Sequence, residues 1–226
     1  VASPTIEAIT TNSGGSNTSA VVDWTAGVQA NDLLIAIITT DDDDTKPVDW
    51  TGTSFTEIFS EEFNTYGPSC YIGYKQATGG ETSITVTLNG SEEWATIGYR
   101  ISGAENPATQ PPETAPVNTD RSAIVSYNAL TPTGGSNDYL FIAVHGVDAA
   151  RSTTGWPSGY SNTTEVVKIF AITACSSSVA KTTASETPGN ATTAQSDQWI
   201  STVIAVHPSS AEGAAEEDAV FFGTDF

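Results

Sequence analysis

The chain carries a long internal repeat: each half runs through the same series of signals, displaced by about 105 residues. Asn31-Asp32-Leu33-Leu34-Ile35-Ala36 returns as Asn137-Asp138-Tyr139-Leu140-Phe141-Ile142, and Trp50 returns as Trp156. Cys70, Glu81 and Trp94 return as Cys175, Glu186 and Trp199. Solenoid units run to roughly 20–50 residues, so a repeat this long is a half-domain. Each half holds an apolar run, a polar loop reaching a Trp, a Cys-bearing strand, a Gly/Thr-rich segment and a strand that opens with Trp.

Strand signals fill the frame. Leu33 to Ile38 is a short apolar run flanked by turn residues, which reads as a strand buried on both faces. Ser69 to Lys75 is the next strand, and Gly79-Gly80 is expected to turn it as a hairpin into Thr82 to Leu88. The strict alternation of that segment predicts one wet and one core face. Trp94 to Ile101 closes the first half. Ser122 to Tyr127, Tyr139 to Val144, Thr164 to Ala174 and Trp199 to Val206 repeat the series. No window carries a helical period. The expected fold is all-β: an antiparallel jelly-roll-like β-sandwich of two pseudo-repeated halves, about residues 20–103 and 122–208, with an extended C-terminal tail. We expect residues 1–208 to form a single domain, with Ala104 to Asp120 as a Pro-rich crossover; two domains of half that size are the alternative. Residues 209–226 change character, from an acidic stretch (Glu212 to Asp218) to Val220, Phe221, Phe222 and Phe226. These four residues are the candidate partner-binding element, by strand addition at an open sheet edge.

Charge narrows the partners. Seven basic residues stand against 27 acidic ones, a formal net charge of −20. Nucleic acid needs a cationic face to displace counterions, so it is not an expected partner, and the same holds for anionic membrane surfaces. No stretch reaches the roughly 20 apolar residues of a membrane span. Val1 to Thr5 lack the basic and apolar regions of a signal peptide. Two Cys make no disulfide framework. Cys70 and Cys175 either bridge, if the repeat brings their strands together, or stay as half-buried free thiols.

Asp41-Asp42-Asp43-Asp44, with Asp49, is the candidate metal site, since clustered carboxylates suit Ca²⁺. A solvated acidic loop is the plainer reading, because the run lacks EF-hand spacing; Asp148 repeats the acidic position in the second half. No other cofactor is expected. His145 and His207, the only histidines, read as strand-end residues without zinc spacing. No Gly-x-Ser-x-Gly elbow presents a nucleophile, and the adjacent pairs Glu61-Glu62 and Glu92-Glu93 point to opposite faces of a strand. A non-enzyme is expected. The repeated Trp positions suggest packing, whereas Trp156 and Tyr160, in a loop, are candidate glycan contacts.

Gly27-Val28-Gln29-Ala30-Asn31-Asp32-Leu33-Leu34-Ile35-Ala36, the loop to Trp50, Tyr71 to Ala77 with Gly79-Gly80-Glu81-Thr82, Trp94 to Ala104, Asn137-Asp138-Tyr139-Leu140 and Gly155-Trp156 together carry a resemblance. Over about residues 20 to 208 the chain resembles a family of β-sandwich proteins found among tailed-phage virion components and some bacterial surface proteins. These are turn and core signatures, so the resemblance implies a fold and no catalytic residues. It implies a non-enzymatic virion structural protein, a capsid decoration (cement) subunit on the capsid surface, or otherwise an extracellular protein. Its expected partners are other virion or assembly subunits, with a homo-oligomer and multivalent contacts. The alternatives are a carbohydrate-binding adhesin or tail-fibre module, and a subunit of an extracellular filament.

Overall fold

The computed structural model describes residues 3–24, 27–42, 48–63, 67–168 and 172–210. These hold twelve strands and no helix: β1 (Thr5–Asp23), β2 (Leu33–Asp42), β3 (Thr56–Glu62), β4 (Gly67–Gln76), β5 (Ser83–Ser102), β6 (Glu113–Thr114), β7 (Asn118–Val125), β8 (Asn137–Asp148), β9 (Thr153–Gly155), β10 (Ser161–Val167), β11 (Ile172–Thr183) and β12 (Ala191–Val206). All pairings are antiparallel. The first half builds one sheet, in the order β1-β5-β2-β4-β3. The second builds the other, in the order β10-β11-β8-β12-β6 with β7 and β9 also on β12; its run β10-β11-β8-β12-β7 mirrors the five strands of the first, and β6 and β9 are additions. The repeat is therefore one sheet per half. The chain crosses between the sheets once, after β5. The likeness to a jelly roll lies in the two antiparallel layers, while the connections stay within each sheet.

The sheets pack face to face over a shared core. Leu33, Ile35, Ile37, Cys70, Ile72, Ile97, Tyr99 and Ile101 of the first meet Leu140, Ile142, Val144, Ile172, Ala174, Ile200, Ile204 and Val206 of the second. Within this core Tyr99 Oη lies 2.6 Å from Ser176 Oγ, the hydroxyl pair that joins the halves. Ser176→Ala leaves a fully buried phenol without a partner and should cost about 1–3 kcal/mol. Tyr99→Phe in the same chain should recover most of that loss, as read by urea unfolding of the two single variants and the double variant.

Each sheet also buries its outer face. Leu34, Ala36, Ile38, Tyr71 and Trp94 form a second cluster with Val22, Trp24, Trp50, Phe55, Val86 and Leu88. The cover is made by β1 and β5 themselves, together with Val48, Trp50 and Phe55 from the segment between β2 and β3. These long strands pair along their whole length through bulges near Gly14 and Asn17, then double back over their own sheet. Trp24 Nε1 donates to Tyr99 O at 3.1 Å and Thr96 Oγ1 to Val21 O at 2.8 Å. Gly98 lies under this flap: a Cβ there would sit 2.5 Å from Asp23 O. In the second half Val125, Tyr127 and Leu130 cover Tyr139, Phe141, Val147 and Trp199 in the same way.

Two expectations change, and one strand goes unannounced in the sequence. Residues 82–88 and 94–101 are one 20-residue strand, β5, because the flap and the sheet share its backbone. Gly79-Gly80 does turn the chain, with φ of 100° and 83°. It is no hairpin, however: β4 and β5 are not neighbours, since β2 lies between them. Residues 5–19, too polar to announce a strand, form most of β1, because their partner β5 supplies the apolar face.

Candidate functional site

The two histidines sit in different settings. His207 directly follows β12, as its position before Pro208 suggested. Its Nε2 faces Glu113 Oε1 at 2.7 Å, and its ring meets the edge of Tyr139. Glu113 also accepts from Thr133 N at 3.0 Å and Thr133 Oγ1 at 2.7 Å. Burial pushes the Glu113 carboxyl up, but the Thr133 and His207 contacts outweigh it and hold it below the usual range. His207 lines a cavity of about 260 Å³ with Glu105, Gln110, Asn137, Ser209 and Ser210. It ties the crossover to the end of β12.

His145 is not a strand-end residue; it lies within β8 and is fully buried. Apolar neighbours hid this, because a lone polar residue in such a run carries no sign of which face it takes. Tyr127 Oη lies 2.8 Å from Nδ1 and Thr153 Oγ1 3.2 Å from Nε2. Thr153 Oγ1 is 3.2 Å from Cys175 Sγ, which points to Glu165 Oε2 at 3.8 Å. Neutral imidazole satisfies this row, accepting from the phenol at one nitrogen and donating to the threonine at the other. Burial lowers the His145 pKa to about 3 and raises the Cys175 thiol, with Glu165 adding to the rise. An imidazole this hard to protonate beside a thiol this hard to ionise makes a packing array, since a reactive cysteine needs an accessible thiolate.

Cys70 and Cys175 are both free, and fully buried where half-burial was expected. Cys70 faces the core between the sheets. Cys175 faces the opposite side of its own sheet, with His145, so the repeat does not bring the two thiols together. Burial pushes Cys70 up to about 12. Neither thiol should react with an aromatic disulfide reagent in the native protein. Denaturant should release both, roughly a thousandfold faster or more, because native labelling waits on opening of the core.

The acidic run divides. Asp41 and Asp42 end β2, and Asp43 and Asp44 lie outside the described residues. Asp49 is exposed at an isolated bridge to Thr87. It accepts from Thr51 N at 2.8 Å, and the Thr51 contacts lower its pKa. No group of three His, Cys, Asp or Glu gathers to hold a metal among the described residues. Asp148 ends β8, where burial first and Asp197 second raise its pKa. Trp156 is half-buried with its ring 5.9 Å from that of His145. Tyr160 Oη reaches Glu186 at 3.4 Å. Trp50, Trp94 and Trp199 are core residues. Val220, Phe221, Phe222 and Phe226 lie outside the described residues.

The ion pairs were not legible in the sequence. Lys75–Glu81 at 3.0 Å and Lys181–Glu186 at 2.5 Å are the same clasp in each half, holding the loop after β4 and after β11. Arg100–Asp32 at 2.6 Å and Arg151–Asp197 at 2.8 Å hold other strand ends. The repeat of Glu81 as Glu186 was the available signal, and the lysines return at Lys75 and Lys181. No family model matches the chain, no curated protein matches it, and no solved structure does.

Proposed function

We propose that this chain is a non-enzymatic structural subunit of a virion, a decoration protein that coats a tailed-virus shell. The observation that carries this reading is where the few cations sit. Four of the seven basic residues are held in ion pairs that clasp strand ends. The charge left to the surface is overwhelmingly acidic, and Ile124 is the one large exposed hydrophobic among the described residues. An outward-facing subunit needs such a surface: it repels free copies and nucleic acid, stays soluble when crowded, and binds through complementary charge on a shell. A particle presents many equivalent sites, so weak contacts add up across its copies. The doubly buried sheets supply the rigidity of a coat. The resemblance of its turn and core residues to virion sandwiches points the same way.

Immunogold labelling with serum against the purified chain tests this on particles concentrated from its source. Regular labelling of particle heads supports the coat reading. Labelling of fibres or filaments alone, or saturable glycan binding that Trp156→Ala abolishes, would replace it with the adhesin or filament reading.

A further inference from the structure

We propose that the free edge of β3 is a docking groove for the chain's own C-terminal segment, Val220 to Phe226. β3 ends its sheet, so one side of its backbone has no strand partner among the described residues. Two cavities follow one another along that edge. The first, about 410 Å³, lies between Thr56, Tyr74 and the turn Asn106-Pro107-Ala108. The second, about 500 Å³, lies between Ile58, Phe59, Ser60 and the segment 114–117. The crossover forms the far wall of both, and the Thr114 hydroxyl reaches across to Ile58 O at 3.2 Å.

The described chain stops against the start of the crossover, just before the stretch that walls the first cavity. Ser209 N donates to Gly103 O at 2.9 Å and Ser210 N to Glu105 Oε2 at 2.5 Å. The next crossover residues, 106–108, are the wall of the first cavity. Between Ser210 and Val220 lie residues 211–219, small and acidic. A random-coil chain of that length spans on the order of 17 Å, while the seven residues of β3 run about 23 Å. Val220 to Phe222 therefore fall within the groove at a high effective concentration, which favours the chain's own segment over a neighbour's. Strand addition would use the β3 backbone on either side of Ile58, whose carbonyl already accepts from Thr114, with alternate side chains in the two cavities. The bulge at Ile58 limits the paired stretch to a few residues. Glu57 and Glu61 line the groove as well, so the acidic linker is repelled at low salt and docking strengthens as ionic strength rises.

The test is disulfide trapping in the full chain between Phe222→Cys and Ser60→Cys, with Phe222→Cys plus Thr11→Cys on the opposite edge as control. The native thiols are buried and stay silent. An intramolecular bond to position 60, formed at least about tenfold faster than in the control and faster at higher salt, supports the proposal. A disulfide-linked dimer would overturn it in favour of an arm between copies, and failure to trap would overturn it outright. Hydrogen exchange gives a second reading in a variant that leaves the sandwich untouched. Replacing Phe221, Phe222 and Phe226 together by Ser should speed exchange of the β3 edge amides about tenfold or more; unchanged rates would count against docking. Neither result depends on whether the protein coats a particle, so the two proposals fail separately.

Discussion

Trp199→Ala should lower the unfolding free energy by about 3–5 kcal/mol, the largest effect of a single side chain here. The indole is fully buried on the outer face of the second sheet, among Tyr127, Tyr139, Val147 and Val203. Its removal leaves a cavity that the paired backbones of β7, β8 and β12 cannot collapse to fill. In a chain of this size the melting temperature should fall by on the order of 10 °C. The repeat supplies an internal control. Trp199 Nε1 donates to Ser122 Oγ at 3.3 Å, whereas Trp94 Nε1 is buried without a partner among the described residues. Replacement by Phe should therefore cost about 1 kcal/mol more at Trp199 than at Trp94, where it removes an unsatisfied donor. Urea unfolding of the variants reads both numbers. A loss below about 1 kcal/mol for Trp199→Ala would mean that the outer face is no core.

The second large effect is acid sensitivity centred on His145. Its folded pKa of about 3 lies well below the ordinary 6.5. Above pH 6.5 the side chain is neutral folded and unfolded, so it adds no pH dependence. Between 6.5 and about 3 the unfolded chain binds a proton that the folded chain refuses, and stability falls as pH falls, by up to about 1.4 kcal/mol per unit. Below that window the loss is complete. Glu81 acts in the same direction at lower pH. Burial pushes its carboxyl up, but donors from Thr78 and Lys75 outweigh it and bring the pKa to about 2, so its contribution is lost as pH falls from 4.5. Unfolding of His145→Gln, compared with the native chain from pH 7 to 5, isolates the histidine. The variant should lose the native slope over that range whatever its stability at neutral pH. Identical slopes would show that His145 is protonated in the fold.

Much of the fold was legible. The apolar runs at Leu33 and Tyr139, the alternation of Ile84, Val86 and Leu88, and the ordered repeat give an all-β chain of two matching halves. Local chemistry suffices there, because alternation and turn residues act over a few positions. The candidate site was less legible. Trp50, Trp94 and Trp199 read correctly as packing residues, but the His145-Thr153-Cys175 row joins three strands that only sheet pairing brings together. The β3 groove likewise needs the crossover laid against a sheet edge.

The repeat itself marks the boundary between sequence and structure. Trp94 and Trp199 face outward on both sheets. Leu33 and Tyr139, aligned by the same motif, face opposite ways: Leu33 lies between the sheets and Tyr139 lies outside. Cys70 and Cys175 are reversed in the same manner. A shift of one residue in a strand turns every side chain to the other face. Both faces of these sheets are apolar, so the letters permit either register. Short-range patterning and composition set the apolar strands, their repeated series along the chain and the acidic charge, but not the polar strand over residues 5–19 or the continuity of β5. The faces, the clasps and the way β1 and β5 fold over their own sheet were decided only when the two layers packed, because burial on both sides depends on contacts between residues far apart in the chain.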